Sequence, residues 1–249
     1  MYSLTINIGA LLLLFKNNGL HRLAIFVFVA LAWCLLAVPS AALAGNEYAE
    51  IDTQPTIAVM QKLGATQGHE NDALLATIQQ KSQDYPPAVF FPLARILFQQ
   101  GDVDGAIFWM NAGRLRTTFD ARLCTDASAG AGVGALMATL PNELRKAQFD
   151  DTAKLTAIIE RVIKWDETTP YNYDHRWIAL HGLGAMRRSM GMDNNAPAQP
   201  LTIPRDQWDD VARKGRGELR EGIAQAIATV EKNRQAQQPS TPQQSKSAQ

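Results

Sequence analysis

The stretch Leu93–Gly113, LARILFQQGDVDGAIFWMNAG, decides the fold that the sequence predicts. Apolar residues recur at helical spacing on both sides of Gly101, which permits a tight turn of the backbone. Asp102 or Asp104 follows as a typical helix N-cap. We therefore expect two antiparallel helices joined by a short loop, the second running from Gly105 to about Phe119.

This stretch resembles one unit of the Sel-one-like helical repeats, a subgroup of the tetratricopeptide-like solenoids. The matching positions are Ala94, Leu97, Phe98, Gly101, Asp104, Ala106, Trp109, Ala112 and Gly113. The alanines let paired helices touch, and Trp109 fills the space between one hairpin and the next. No second copy stands at the expected spacing, so the unit belongs either to a divergent array or to an irregular helical domain with a single hairpin.

Repeats of this kind serve as binding surfaces in the families that carry them, so the resemblance implies a protein that binds another protein. Some exported bacterial proteins with such repeats are immunity proteins, which neutralise toxins that interbacterial secretion systems deliver into the cell envelope. By analogy, we expect an immunity protein whose partner is an antibacterial effector. The alternative within the same class is an assembly or scaffold protein of the cell envelope.

Helical spacing continues through the rest of the chain, and no run alternates apolar and polar residues as a half-buried strand would. The predicted fold class is therefore all-α. The clearest further helix spans Asp151–Trp165, and the small residues of 127–138 predict a tightly packed helix. A last helix is expected over 205–233, interrupted by a kink or a join at Gly215 and Gly217.

The N-terminal segment, residues 1–44, has the pattern of an export signal. Basic residues precede the apolar run Leu23–Val38, and the small residues Ala42 and Ala44 suit a signal peptidase that cuts before Gly45. We therefore expect the protein in the periplasm. If the run is instead an uncleaved anchor, the protein is held at the inner membrane, and this segment is the membrane contact that we expect.

The remaining chain is expected to form one helical domain over 45–234, followed by a disordered tail over 235–249 that is rich in Gln, Ser and Pro. Two of the 24 basic residues, Lys16 and Arg22, lie in the predicted signal. The rest of the chain therefore has 22 basic and 24 acidic residues, a net charge of −2. This balance gives no reason to expect nucleic acid as a partner.

Candidates for chemistry are few. Cys124, the one cysteine outside the predicted signal, is expected to be buried and inert. In YNYDHRWIALHG (171–182), Asp174 next to His175 can orient an imidazole, and His181 can share a metal. A separation of six positions does not place the two histidines on one face of an α-helix, so we expect no catalytic residue, metal or cofactor. A hydrolase that uses these three residues stays as an alternative.

Contacts with the expected partner are assigned from residue type, because arginine and aromatic side chains dominate interface energies. The predicted contact residues are Arg114, Arg116, Arg122, Tyr171, Tyr173 and Trp177. In the alternative interpretation, the two tyrosines and Trp177 belong to the core and the three arginines form a solvated face.

Overall fold

The computed structural model describes residues 47–192 and 199–237, and no β-strand lies in these ranges. The prediction of an all-α fold is confirmed. An isolated antiparallel bridge joins Cys124 and Thr202. No helix in the two ranges has the length and apolar character needed to span a bilayer. The predicted signal, 1–44, and most of the predicted tail lie outside the described residues.

Ten α-helices lie in the two described ranges. In chain order they are α1 (Glu47–Glu50), α2 (Gln54–Ala65), α3 (Asp72–Gln80), α4 (Phe90–Gln99), α5 (Val103–Leu123), α6 (Ala131–Ala138), α7 (Asn142–Ala147), α8 (Thr152–Thr168), α9 (Leu183–Ser189) and α10 (Trp208–Gln237). Short 3₁₀ helices span Ser82–Asp84, Pro87–Val89, Ala127–Gly130, His175–His181 and Arg205–Gln207.

The predicted hairpin is formed by α4 and α5, which pack along each other. The carboxylate of Asp102 caps α5, because it accepts a hydrogen bond from the backbone N–H of Gly105 at 2.9 Å. Gly101 in the turn has a φ of +87°, a conformation that residues with a Cβ rarely adopt. The helix begins two residues before the predicted Gly105 and extends beyond Phe119 to Leu123.

The residues that carry the resemblance to a helical repeat have packing roles in this hairpin. Buried among them are Ala94, Leu97, Ala106, Trp109 and Ala112. The ring of Trp109 lies 4.9 Å from that of Phe90 and 5.6 Å from that of Trp165, centroid to centroid. Trp109 therefore joins the hairpin to α8, which is the neighbouring long helix.

Two hydrophobic clusters form the interior. In the larger one, residues of α2, α3, α4, α7, α8 and α10 pack together with those of the central helix α5. The smaller one contains Ile51, Ala88, Ala121, Cys124, Ala129, Trp177, Ile178, Ala179 and Leu201. Burial in this cluster raises the pKa of the Cys124 thiol to about 12. The expected burial of this cysteine is confirmed, and the raised pKa keeps it protonated near neutral pH.

The run of small residues over 127–138 is not the single tightly packed helix that the sequence predicts. It divides into a 3₁₀ turn and α6. Gly132 is closely packed, because a Cβ at this position would lie 3.4 Å from Ile178 Cγ1. A Cβ on Gly130 or Gly134 would meet no atom within 4 Å. Ala129 is fully buried in the smaller cluster. The prediction of tight packing therefore holds at Ala129 and Gly132 and is wrong at Gly130 and Gly134.

The last helix, α10, runs without interruption through Gly215 and Gly217 to Gln237. The predicted join between two helices at these glycines is therefore absent. The helix also includes residues 235–237, so the first three residues of the predicted tail are helical.

Candidate functional site

The C-terminal half of α5 buries two ionisable side chains one turn apart. Arg116 and Asp120 are fully inaccessible to solvent. Burying a charge away from water is costly unless hydrogen bonds and opposite charges compensate it. The compensating groups come from residues 165–177, which comprise the end of α8, the following loop and the start of the 3₁₀ helix.

Arg116 is bonded through each nitrogen of its guanidinium group. Its Nε donates to Asp166 Oδ1 at 3.0 Å, Nη1 donates to the carbonyl of Pro170 at 3.2 Å, and Nη2 donates to the carbonyl of Thr169 at 2.6 Å. These bonds satisfy carbonyl oxygens beyond the last turn of α8. They therefore fix the direction in which the chain leaves the helix.

The guanidinium group of Arg116 also lies between two aromatic rings. Its Cζ is 4.2 Å from the ring centroid of Trp165 and 4.0 Å from that of Tyr171. At these distances the positive charge interacts favourably with the π-electrons of both rings. Arg116 therefore holds the Tyr171 ring in one place.

Asp166 connects three elements through its buried carboxylate. Besides Arg116, Oδ1 accepts a hydrogen bond from Tyr171 Oη at 2.7 Å, and Oδ2 accepts one from Arg216 Nη1 at 3.0 Å. Burial, together with the nearby charge of Asp166, raises the pKa of the Tyr171 hydroxyl above its ordinary value. The hydroxyl therefore stays protonated and remains a donor. Asp166 thus ties α5 and α10 to α8.

Asp120 has three hydrogen-bonding partners of its own. Its Oδ1 lies 2.6 Å from His175 Nδ1 and 3.4 Å from Tyr173 Oη, and its Oδ2 accepts a bond from Trp177 Nε1 at 2.7 Å. Burial raises the pKa of Asp120, and the hydrogen bond and charge of His175 oppose that rise. The carboxylate anchors the start of the 3₁₀ helix to α5.

Aromatic rings surround the imidazole of His175. The ring centroids of Tyr173 and Trp208 lie 4.9 Å away, and those of Phe119 and Tyr171 lie 5.4 and 5.5 Å away. One imidazole nitrogen is engaged by Asp120 and the ring is buried. This arrangement suits a packing and hydrogen-bonding role for His175.

The three residues of the hydrolase alternative are engaged separately. Asp174 accepts bonds from the backbone N–H and guanidinium of Arg176, while His175 is bonded to Asp120. His175 and His181 are the two ends of one 3₁₀ helix, a separation of about 12 Å along its axis at ~2.0 Å per residue. Within 47–192 and 199–237, no three His, Cys, Asp or Glu residues form a group that suits a metal ion.

The predicted partner contacts divide into three groups. Arg116 and Trp177 are buried, so predicting them as surface contacts was wrong; each is held inside by a carboxylate, Asp166 or Asp120. Arg114 and Arg122 are exposed on α5. Tyr171 and Tyr173 are half-buried, with their hydroxyls bonded to those same two carboxylates.

A surface cleft of about 470 Å³ opens beside this network. Residues 166–171 form one wall, and Asp209, Ala212, Arg213 and Arg216 of α10 form the other. Tyr171 and Arg216 belong both to the cleft and to the network around Asp166. The cleft is therefore built on side chains whose positions are fixed from behind.

Sequence reasoning missed Asp120, Asp166 and Arg216. The sequence did contain a signal for Asp166. Together with Ile159 and Val162, Asp166 has the spacing i, i+3 and i+7, which places it on the apolar face of α8. A carboxylate in such a stripe requires a buried partner. The sequence does not show which residue is that partner, since Arg116 and Arg216 each stand 50 positions away.

Comparison of the chain with protein-family models, with curated proteins and with solved structures finds no match.

Proposed function

We propose that the protein binds another protein and that the cleft beside Tyr171 receives part of that partner. The observation that carries the proposal is the cleft itself, whose walls hold a tyrosine and two arginines, Arg213 and Arg216. Tyrosine and arginine are the residue types that dominate interface energies, and they act best in concave, well-packed places. The cleft volume falls within the range of ordinary ligand pockets.

The network behind the cleft supports the proposal through preorganisation. Tyr171 and Arg216 are both bonded to the buried carboxylate of Asp166. Side chains that are already fixed lose little conformational entropy when a partner binds. A partner therefore meets a surface that needs little rearrangement.

The charges of the cleft define the chemistry of the partner segment. Arg213, in the α10 wall, is largely exposed. Asp209 lies in the same wall, and Glu167 lies in the opposite one. A polar segment that carries both a carboxylate and hydrogen-bond donors complements this mixture better than an apolar one.

The resemblance of Leu93–Gly113 to Sel-one-like repeats supports a wider proposal. The partner would be an antibacterial effector, and the protein would act as its immunity protein in the periplasm. A scaffold or assembly role in the envelope uses the same binding chemistry and differs in the partner, so the identity of the partner decides between them.

Capture of the partner from native cells tests the proposal. Tagged chain Gly45–Gln249 is used as bait beside two charge reversals on α10, Arg213→Glu in the cleft and Lys232→Glu as the matched control. Lys232 is exposed and stands 19 residues further along the helix, about 28 Å away. We expect one stoichiometric partner that Arg213→Glu weakens at least about tenfold and Lys232→Glu leaves bound.

Each other outcome has a defined meaning. A captured protein that is lethal when expressed alone in the periplasm supports the immunity role, and several envelope-assembly proteins support the scaffold role. Equal capture by both variants overturns the assignment of the cleft. Capture of no protein overturns protein binding and favours the alternative of a hydrolase that uses His175.

A further inference from the structure

A second concave site lies where α2, α4 and α6 meet, and it shares no lining residue with the cleft. Its volume is about 200 Å³, and the polar side chains that line it are one arginine and one threonine. Its walls include Met60 and Gly64 of α2, Phe91 and Arg95 of α4, and Leu136 and Thr139 at the end of α6. Drug-sized ligands fill pockets of roughly 300–1,000 Å³, so a ligand of this α2–α4–α6 pocket is small.

The threonine of the pocket already has a hydrogen-bonding partner. The hydroxyl of Thr139 donates to the carbonyl of Leu136 at 2.7 Å. The guanidinium of Arg95 is therefore the principal donor that the pocket offers to a ligand. A peptide backbone brings both donors and acceptors, and each of them needs a partner when it leaves water. One guanidinium on an apolar wall suits a ligand with an anionic head and a hydrocarbon body better than it suits a peptide.

The charge of Arg95 is half-buried and has neutral hydrogen-bonding partners. Its Nη1 donates to Gln99 Oε1 at 3.0 Å, and its Nη2 donates to the carbonyl of Leu63 in α2 at 2.9 Å. Within 47–192 and 199–237, its Nε has no acceptor. The bond to Leu63 fixes the guanidinium between α2 and α4, and the remaining N–H groups can bind a carboxylate, which is a stronger acceptor than a neutral oxygen.

The three helices that form the pocket favour an anion. Over their full lengths, α2, α4 and α6 contain no Asp or Glu, and their charged residues are Lys62 and Arg95. Charges of one sign around an apolar concavity raise the local concentration of ligands of the opposite sign. A negatively charged ligand is therefore attracted to this pocket, and a positively charged one is repelled.

We propose that the α2–α4–α6 pocket binds a small apolar carboxylate of the medium-chain fatty acid type. Arg95 binds the carboxylate, and the hydrocarbon chain lies against Met60, Phe91 and Leu136. The charge of the walls selects the anionic head, and their apolar side chains select the chain. This inference does not rest on the proposed cleft, which uses α8 and α10.

Titration calorimetry tests the proposal with chain Gly45–Gln249. Residues from Asn46 onward form a compact unit that contains both hydrophobic clusters, so this chain has its own core. The probes are octanoate, octanol and octylammonium, which share a hydrocarbon chain and differ in the charge of the head. We expect saturable binding of one octanoate per chain, with at least about tenfold weaker binding of octanol and octylammonium.

Gly64 allows the pocket to be filled without a clash. A Cβ at Gly64 would meet no atom within 4 Å, and leucine is a better helix former than glycine. Gly64→Leu should therefore weaken octanoate binding at least about tenfold while the protein stays folded, because the added side chain takes the place of the hydrocarbon. Gly217→Leu in α10, where a Cβ also meets no atom within 4 Å, is the matched control and should bind like the parent. Thermal unfolding checks that both variants are folded.

Replacements of Arg95 test the role of the charge. Arg95→Gln keeps a donor for the carbonyl of Leu63 and removes the charge. It should weaken octanoate binding at least about tenfold and leave octanol binding unchanged, so that the preference for the anion disappears. Arg95→Lys keeps the charge and should retain the preference. A purely structural role of Arg95 would change the binding of both probes alike.

Three results would overturn the proposal. The first is that the parent chain does not bind octanoate, or binds it no more tightly than octanol. The second is that Gly64→Leu binds octanoate as tightly as Gly217→Leu does, which would place the ligand elsewhere. The third is that Arg95→Gln keeps the preference for octanoate over octanol.

Discussion

The two halves of α5 are held by different forces. In the first half, Ala106, Trp109 and Met110 pack against apolar and aromatic side chains of α4 and α8. In the second half, Arg116 and Asp120 are bonded to charged and polar groups of 165–177. Hydrophobic packing accepts many partners of the right volume, whereas a buried charge requires one particular partner. The second half therefore specifies which segment covers the helix.

The largest expected effect comes from removing a carboxylate of the second half. Asp166→Ala leaves Arg116 buried without its counter-charge and should lower the free energy of unfolding by about 3–5 kcal/mol. Denaturant unfolding measures this change. Glu160→Ala, which breaks an exposed pair with Arg220, is the control and should cost less than about 1 kcal/mol. Equal costs for the two variants would remove the distinction between the buried and exposed pairs.

A smaller effect is expected at Asp120. Asp120→Asn keeps the shape of the side chain but cannot accept from His175, Tyr173 and Trp177 together. We expect a loss of about 1–3 kcal/mol in stability, with a change in the fluorescence of Trp177. Asp174→Asn, at a more exposed carboxylate, should change neither quantity by as much. An unchanged stability in Asp120→Asn would show that the buried carboxylate is dispensable.

Gly101, in the turn before α5, and Gly217, inside α10, form a matched pair of glycines. Gly101→Ala places a Cβ on a residue with a φ of +87° and should cost about 1 kcal/mol. Gly217→Ala lies inside α10, where a Cβ meets no atom within 4 Å, and should stabilise the protein by up to about 1 kcal/mol. Thermal unfolding of the two variants should therefore shift in opposite directions. Shifts of the same sign would contradict the assigned backbone of the turn.

The smallest effect is a dependence of stability on pH. Hydrogen bonds from Ser128 lower the pKa of Asp126, and Arg220 lowers that of Glu160. A lowered pKa contributes stability that is present above the unfolded value of about 4 and is lost as the pH falls through the folded value. The midpoint temperature of thermal unfolding should decrease as the pH is lowered below about 4. This decrease should be less steep in Asp126→Asn. An identical pH profile in that variant would contradict the role of Asp126.

The first half of α5 could be predicted from the sequence, whereas the second half could not. The spacing of apolar residues, Gly101 and an aspartate cap are local signals, and they place the hairpin within a few residues. The pairing of Arg116 with Asp166 joins positions 50 residues apart, for which a single sequence has no signal. Residue type alone assigned Arg116 to the surface, and the buried carboxylate overrides that preference.

The cleft and the α2–α4–α6 pocket were beyond prediction for a related reason. The cleft forms where the end of α8 meets α10, two elements separated in the chain. Tyr171 was predicted as a contact residue from its type, and its place in the cleft follows from the bonds of Arg116 and Asp166. The pocket brings together Gly64, Arg95 and Leu136 from three helices, and the sequence does not define how these helices meet.

A double-mutant cycle between Arg116 and Asp166 tests most directly whether one buried ion pair fixes the segment that builds the cleft. The unfolding free energies of the parent, Arg116→Met, Asp166→Leu and the double variant are compared. The two single losses should sum to at least about 2 kcal/mol more than the loss in the double variant, because Asp166→Leu leaves the buried charge of Arg116 without a counter-charge, whereas the double variant removes both charges. Additive losses would show that the pair is not coupled and would contradict the account.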